Sequence, residues 1–258
     1  MGYGFRNVSF DKTSIEGKVV ATMKLDSLLP LDVRGMREGV AEKMNSVADV
    51  DVLLLDIRDC FGMSPDTAAF ILSYLFDAPQ PLTKSIDRLG VVQNTTWTLP
   101  VASLPEGSRL FGGKKPIYVL VNNHTASEAE GIAYSLQAYG RAKIAGEHRT
   151  TRGEADLSLY HQPICEEEFG KGWWNVYFHN LKLEHVLTKE SWERVGVKTD
   201  FSLDNTRVDG DDSEDVQTDP LRDLVISGEK HRTSTPGLTV AHSWSLDEEI
   251  NWAAQEEL

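Results

Sequence analysis

Two stretches of the chain, residues 52–57 and 116–121, are apolar at nearly every position and are bounded by charged or turn-forming residues. Such runs are typical of strands buried on both faces of a parallel sheet. The segment before the first run, residues 35–48, has helical periodicity instead. Its apolar positions fall on one face of a helix, at Met36, Val40, Met44 and Val47.

A helix is predicted after each apolar run. The first starts at Pro65 and continues through Phe76, and the second ends at Tyr139, before Gly140. A short strand over residues 142–146 follows. The apolar stripe of the second helix consists of Ala129, Ile132, Ala133 and Leu136. Alternation of strands and helices favours an α/β fold with a parallel core.

The ends of the chain have different patterns. Residues 8–25 alternate as short strands do, and residues 157–202 look β-rich, with the strongest strand pattern at 173–178. Between residues 200 and 219 there are eight acids and one base. We therefore predict a folded core over residues 1–202 and an acidic linker and tail over 203–258, with short helices at 220–227 and 245–258.

Composition excludes several classes of function. The 258 residues carry 26 Lys and Arg against 40 Asp and Glu, a net charge of −14 without a basic cluster, which argues against nucleic-acid binding. The two cysteines, Cys60 and Cys165, form neither a CxxC pair nor a disulfide framework. No His, Asp and Glu grouping has metal-ligand spacing, so no metal or cofactor is expected. Without a leader pattern or an apolar stretch of ~18 residues, we expect a cytoplasmic protein with no membrane contact.

Candidate chemistry begins at Ser127, which follows the second buried run and opens the second helix. A helix N-terminus carries unpaired N–H groups and a partial positive charge, so a serine there can act as a nucleophile whose transition state is stabilised. The alternative is an ordinary N-capping serine, which from spacing alone is the commoner case.

A second loop, residues 56–65, leaves the other buried run and also enters a helix. Its Gly62 can present a backbone N–H where a side chain would obstruct a ligand. Loops at the carboxyl ends of neighbouring parallel strands form a crevice, in which one could hold an oxyanion and the other a nucleophile. Cys60 in this loop is either a reactive thiol or a buried packing residue.

The two loops resemble those of one enzyme family. Residues 125–130, Thr-Ala-Ser-Glu-Ala-Glu, are similar to the Thr-Ala-Ser-Ala-x-Glu block of the S41 serine peptidases. These are the tail-specific or carboxy-terminal-processing proteases, and interphotoreceptor retinoid-binding protein shares their core. Residues 56–62 resemble the family's Asp-Leu-Arg-x-Asn-x-Gly-Gly loop, and similar blocks follow at 112–116, 140–147 and 195–200 in the family's order.

The resemblance implies a ClpP/crotonase-like ββα superhelix, here without the inserted PDZ domain. It implies Ser127 as nucleophile and the N–H groups of Gly62, Met63 and Glu128 as candidate oxyanion-hole donors. Glu130 matches the glutamate of the motif, and we expect it to orient the helix or its loop rather than act as a base.

The resemblance leaves the general base open. Processing proteases of this family use a Ser–Lys dyad, and the position of that lysine falls on Arg152. A guanidinium cannot accept the serine proton at neutral pH, although it could hold a carboxylate or an oxyanion. His124 and His148 are the alternatives, because each lies in a loop that could approach Ser127. For both, a solvent-exposed loop histidine is the simpler interpretation.

The sequence therefore supports a serine hydrolase that acts on a peptide or a small acyl substrate. The alternative is a repurposed S41 core that binds a small apolar or carbonyl-bearing molecule, as carrier, cyclase or isomerase, without proteolysis. The exchange of the dyad lysine for Arg152 and the Cys60 and Met63 exchanges favour the alternative. An inactive scaffold subunit is a third interpretation. A homo-oligomer is compatible with the sequence.

Overall fold

The computed structural model describes residues 5–9, 17–146, 151–155, 159–164, 174–179 and 181–203. Its first half contains β1 (Phe5–Ser9), β2 (Val20–Leu25), β3 (Ser27–Leu28), α1 (Met36–Ser46), β4 (Val52–Asp56), β5 (Phe61–Gly62), α2 (Pro65–Ser73), β6 (Pro81–Asp87) and β7 (Val92–Trp97). Its second half contains β8 (Ile117–Val121), α3 (Glu128–Ala138), β9 (Lys143–Gly146), β10 (Leu159–Ile164), β11 (Trp174–His179), β12 (Leu181–His185) and β13 (Phe201–Ser202).

A six-stranded sheet in the order β1-β2-β4-β8-β9-β13 forms the centre of the fold. Strand β1 is antiparallel to β2, and the other neighbours are parallel. All five residues of β4 and all five of β8 are buried, which confirms the prediction of two doubly buried strands. The parallel α/β architecture is confirmed with them.

The sheet separates two apolar layers. Leu53 and Leu55 of β4 pack on the side of the helices, in the main core. Leu54 points to the opposite face, where it packs with Val20, Val52, Tyr118, Leu120 and Ala145. Because successive strand residues face opposite sides, a continuous apolar run supplies both layers.

The C-terminus of α2 is set by tertiary contacts. The pattern predicts a helix through Phe76, but α2 ends at Ser73. The carbonyl of Tyr74 accepts hydrogen bonds from the N–H groups of Phe111 and Gly112, and the carbonyl of Leu75 accepts from the Arg141 guanidinium. These carbonyls are satisfied by other segments, so no further helical turn is needed to pair them.

A smaller sheet in the order β12-β6-β7 is antiparallel, and β10 pairs with β11. Strands β10, β11 and β12 agree with the predicted β-rich character of residues 157–202. The predicted acidic linker and tail, with its helices at 220–227 and 245–258, lies outside the described residues apart from residue 203. Among the described residues, no helix is both long and apolar enough to cross a membrane.

Candidate active site

The loops after β4 and β8 lie side by side at one edge of the sheet and are joined by side chains. Asn122 donates from Nδ2 to Asp59 Oδ1 at 2.8 Å and accepts the Asp59 N–H at 3.0 Å. The Thr125 hydroxyl donates to the carbonyl of Ile57 at 2.9 Å. The sequence argument from parallel strands therefore brings together the correct pair of loops.

Backbone hydrogen bonds also join the two loops. The Ala126 N–H donates to the carbonyl of Cys60 at 3.0 Å, and the Gly62 N–H donates to the carbonyl of Ala126 at 3.1 Å. A Cβ on Gly62 would lie 2.4 Å from both the backbone nitrogen and the Cβ of Glu128. Glycine is therefore required at residue 62 by the close approach of its backbone to the start of α3.

Ser127 is the residue that turns the chain from the loop into α3. Its φ of 62° and ψ of −129° are those of the first central position in a type II′ turn, which glycine adopts at no steric cost. For a serine this conformation costs about 1–3 kcal/mol. The Oγ is buried and makes no hydrogen bond of normal geometry among the described residues, although it faces the Glu130 N–H in a capping-box arrangement with the Glu130 carboxylate. Ser127 thus occupies the N-cap position without the usual N-cap geometry.

Glu130 holds this turn in place. Its buried carboxylate accepts the N–H of Ser127 at 2.9 Å, that of Gly153 at 2.7 Å and that of Glu154 at 2.8 Å. Burial raises the pKa of Glu130, and these hydrogen bonds act in the opposite direction. The residue connects the Ser127 turn to the segment that contains position 152, in keeping with the orienting role expected from the sequence.

Arg152 is attached to the nucleophile loop through its main chain. Its N–H donates to the carbonyl of Thr125 at 3.0 Å, while its guanidinium pairs with Glu154 at 2.7 Å and its side chain is 57% exposed. His124 is exposed, and its N–H donates to Asn122 Oδ1. His148 lies outside the described residues. Since Ser127 Oγ has no partner, no described base is within hydrogen-bond reach of it.

The three candidate oxyanion donors are in different states. The Gly62 N–H is bonded to Ala126, and the Met63 N–H donates to the carbonyl of Leu28 at 3.1 Å. The N–H of Glu128, in the first turn of α3, has no acceptor among the described residues. The Glu128 N–H is therefore the one group of the three that has no acceptor in the described part of the structure.

Two further titratable side chains lie at these junctions. Burial, with a smaller effect of Asp66, raises the pKa of the Glu128 carboxyl to about 8. Burial, with the carboxylates of Asp26 and Asp56, raises the pKa of the Cys60 thiol to about 12. Cys60 is fully buried, so its environment is that of a packing residue and not of a reactive thiolate.

The side chain of Glu128 is the feature that sequence reasoning missed, since Glu128 was considered only for its N–H. A signal was present in the sequence, because two acids flank Ala129 within the apolar stripe of α3. Within the described ranges, no group of three or more His, Cys, Asp or Glu side chains could hold a metal ion.

Comparison with known proteins identifies the family of the chain. The family model for peptidase family S41 matches residues 20–162, more than half of the chain. Among solved structures, the photosystem II D1 C-terminal processing protease is similar with a TM-score of 0.54 at 20% identity, over 72% of this chain and 42% of that chain. Mature CPAF complexed with lactacystin gives a TM-score of 0.56 at 14% identity, over 77% and 49%.

A putative peptidase from Parabacteroides merdae gives a TM-score of 0.55 at 15% identity, over 78% of this chain and 60% of that chain. At these identities the likeness to solved structures concerns the fold. The chain spans about 40–60% of the length of these three structures. The match of the family model over most of the central sheet, together with this common fold, shows that the chain belongs to peptidase family S41.

Proposed function

We propose that the chain is a serine hydrolase of the peptidase type, with Ser127 as the nucleophile. Membership of family S41 supports a serine peptidase-like function. The observation that carries the proposal is the backbone of Ser127, with a φ of 62° in a non-glycine residue. A serine that only capped the helix would gain nothing from this strain, whereas a nucleophile gains an Oγ that is not spent on a helical N–H.

In the proposed reaction, Ser127 Oγ attacks the carbonyl carbon of the substrate while a base takes its proton. The carbonyl oxygen becomes an oxyanion beside the positive end of α3, where the Glu128 N–H can donate to it. Collapse of the tetrahedral intermediate expels the leaving amine with that proton and leaves an acyl ester on Ser127. Water then hydrolyses the ester and restores the serine.

The Gly62 loop must shift if it is to contribute a second donor. The Gly62 and Met63 N–H groups donate to the carbonyls of Ala126 and Leu28. Exchange of either acceptor for a substrate oxyanion requires a local opening of the pairing between β5 and its neighbours. Glu128 is therefore the first oxyanion donor in this proposal, and Gly62 is the second.

The test is covalent labelling with a fluorophosphonate, followed by peptide mass analysis. We expect the label on Ser127 and none on a Ser127→Ala protein. Ser64→Ala is the matched control, because Ser64 occupies the same position at the start of α2 and should not affect labelling. An intact protein that takes up no label, or takes it up equally in Ser127→Ala, would contradict the proposal.

The identity of the general base is tested by a substitution at position 152. The Arg152 main chain adjoins the nucleophile loop, so a lysine there would start near Ser127. We expect Arg152→Lys to raise the labelling rate about a hundredfold, because a lysine can accept the proton that a guanidinium cannot. If Arg152→Lys leaves the rate unchanged while His148→Ala or His124→Ala abolishes it, a histidine is the base.

A second candidate is a binding core that does not hydrolyse its ligand, a small apolar or carbonyl-bearing molecule. Two observations favour it: the engaged N–H groups of Gly62 and Met63, and the ion pair that directs the Arg152 guanidinium to Glu154. In that case a Ser127→Ala protein would retain full activity or binding. Loss of both in Ser127→Ala would exclude this candidate.

A further inference from the structure

The hairpin of β6 and β7, with the segment that follows it, carries much of the exposed apolar surface. Ten large apolar side chains are exposed among the described residues, and five of them lie between residues 89 and 101. They are Leu89, Val91, Val92, Trp97 and Val101, and Leu89 at the tip of the hairpin is 88% exposed. Single exposed apolar residues are ordinary, but such a concentration marks an interaction surface.

The same segment carries no charge. Residues 91–105 contain no Asp, Glu, Lys or Arg, although these four types make up 26% of the chain. Proteins commonly protect exposed edge strands from pairing with other chains by placing charged side chains on them, above all lysine. Strand β7 lacks that protection.

Strand β7 is an open edge in the described part of the structure. It pairs with β6 on one side, and the order β12-β6-β7 gives it no described neighbour on the other. The Thr98 N–H donates to the carbonyl of Gln80 at 2.9 Å, on the side of β6. Because backbone groups alternate along a strand, those of Trp97 and Thr95 point away from β6. They can therefore pair with an added strand.

The tip of the hairpin is held in a fixed turn. The Asp87 carboxylate accepts the N–H of Leu89 at 2.8 Å and that of Val91 at 2.9 Å, and it also accepts the side-chain amide of Gln93 at 2.7 Å. The exposed apolar side chains at the tip are thus presented by an ordered backbone, which lowers the entropic cost of binding a partner.

We propose that β7 pairs with β7 of a second copy of this chain, antiparallel and about a two-fold axis at Thr95. A two-fold axis perpendicular to a sheet places one residue of each strand opposite its own copy. With Thr95 at the centre, its N–H and carbonyl both face the partner strand. Asn94 of each copy then lies opposite Thr96 of the other, and no like charges meet.

The arrangement of apolar residues favours a second copy as the occupant. Leu89 and Val91 precede β7, and Val101 follows it. Antiparallel self-pairing brings the start of each β7 to the end of the other, so the two apolar groups approach each other twice in one dimer. The net charge of −14 makes two copies repel, and an uncharged edge is where that repulsion is weakest. This inference is independent of the reaction proposed for Ser127.

The test is the mass of the full chain in sedimentation equilibrium over a range of concentrations. We expect a dimer to predominate at about 100 µM. Thr95→Lys and Thr95→Glu each place like charges opposite each other, so each should weaken dimerisation at least about tenfold. An equimolar mixture of the two variants should restore the dimer, because the charges that meet at the axis then have opposite signs.

Val195→Lys is the matched control, because Val195 is 74% exposed and lies outside the hairpin. It should change the dimer dissociation constant less than about threefold. Circular dichroism verifies that each variant is folded, and Trp97→Lys serves as the second variant if the Thr95 variants do not fold.

The proposal is overturned by a dimer that the hairpin variants leave intact, by equal weakening in Val195→Lys, or by a mixture of the Thr95 variants that stays monomeric. A monomer at every concentration also overturns it. A Thr95 N–H protected from hydrogen exchange would then assign the edge to another segment of this chain, and an unprotected one would assign it to a different partner.

Discussion

Two serines start neighbouring helices after neighbouring parallel strands, and they use their hydroxyls differently. Ser64 precedes α2 with an extended backbone, φ −145° and ψ 112°, and its Oγ accepts the Thr67 N–H at 3.3 Å. Ser127 precedes α3 with a φ of 62°, and its Oγ has no partner among the described residues. The first is an ordinary N-cap, and the second is a strained turn with a free hydroxyl.

The difference shows how a helix can start at a serine without using the serine hydroxyl as a hydrogen-bond acceptor. At α2 the serine satisfies the helical N–H itself. At α3 the Glu130 carboxylate accepts the N–H of Ser127, and it also accepts the N–H groups of Gly153 and Glu154. The strain at Ser127 can persist because these contacts, and the pairing of Ala126 with Cys60 and Gly62, over-determine the turn.

The largest expected effect on stability is that of Gly62→Ala, which would push the loop after β4 away from the start of α3. The new Cβ would meet the backbone nitrogens of Glu128 and Ala129 at 2.4 and 2.6 Å, and neither can move without displacing α3. We expect a loss of about 3 kcal/mol in the free energy of unfolding, measured by urea denaturation.

The matched control is Gly39→Ala in α1, where a Cβ would meet no atom within 4 Å. That substitution should stabilise the protein by about 0.5–1 kcal/mol through helix propensity. If Gly62→Ala lowers the free energy of unfolding no more than a typical surface substitution does, the Gly62 backbone is not packed against the start of α3 as described.

The next prediction concerns the acids in the first turns of the two helices, which are the exposed Asp66 of α2 and the buried Glu128 of α3. Burial raises the pKa of Glu128 from 4.5 to about 8, so between these values the folded protein binds more protons than the unfolded chain. Stability from this group is therefore full below about pH 4.5 and is lost as the pH rises toward 8. Each pH unit in this range lowers the free energy of unfolding by up to about 1.4 kcal/mol.

Glu128→Gln should remove this loss, so its advantage over the original protein should grow by about 2 kcal/mol between pH 5 and pH 7 in urea denaturation. Asp66→Asn controls for the removal of a first-turn charge and should change the stability by less than about 1 kcal/mol. An advantage of Glu128→Gln that is the same at both pH values would show that the carboxyl is not held in its neutral form.

Much of this comparison could be predicted from sequence. The apolar runs predicted β4 and β8, their parallel arrangement predicted adjacent loops, and the motif offered Ser127 and Gly62 as candidate site residues. Local pattern suffices for these features because burial on both faces and helical periodicity leave direct traces in the order of residues. The approximate bounds of α1 and α3 followed from the same signals.

The remainder depends on contacts between distant segments. The sequence could not show that Glu130 accepts the N–H groups of Gly153 and Glu154, or that the Tyr74 carbonyl would end α2 by pairing with Phe111. It also placed Ser127 at a helix start without showing that its backbone differs from that of Ser64 before α2. Their opposite backbone conformations arise from tertiary packing, which local propensity does not encode.

The smallest expected effect, and the most direct test of the comparison, is the same substitution at both serines. Ser64→Ala removes a hydroxyl that accepts a helical N–H and should cost about 1 kcal/mol of unfolding free energy. Ser127→Ala removes a buried hydroxyl that has no partner, so it should cost nothing measurable or stabilise slightly.

Ser127→Gly should stabilise by up to about 1 kcal/mol, because glycine adopts a φ of 62° without strain. Thermal and urea unfolding of the three variants, compared with fluorophosphonate labelling, should separate the two roles. Ser64→Ala loses stability and keeps labelling, whereas both Ser127 variants keep or gain stability and lose labelling. A strained serine whose removal stabilises the fold is what a stability–activity trade-off predicts at a nucleophile, and equal costs at Ser64 and Ser127 would instead make both serines structural caps.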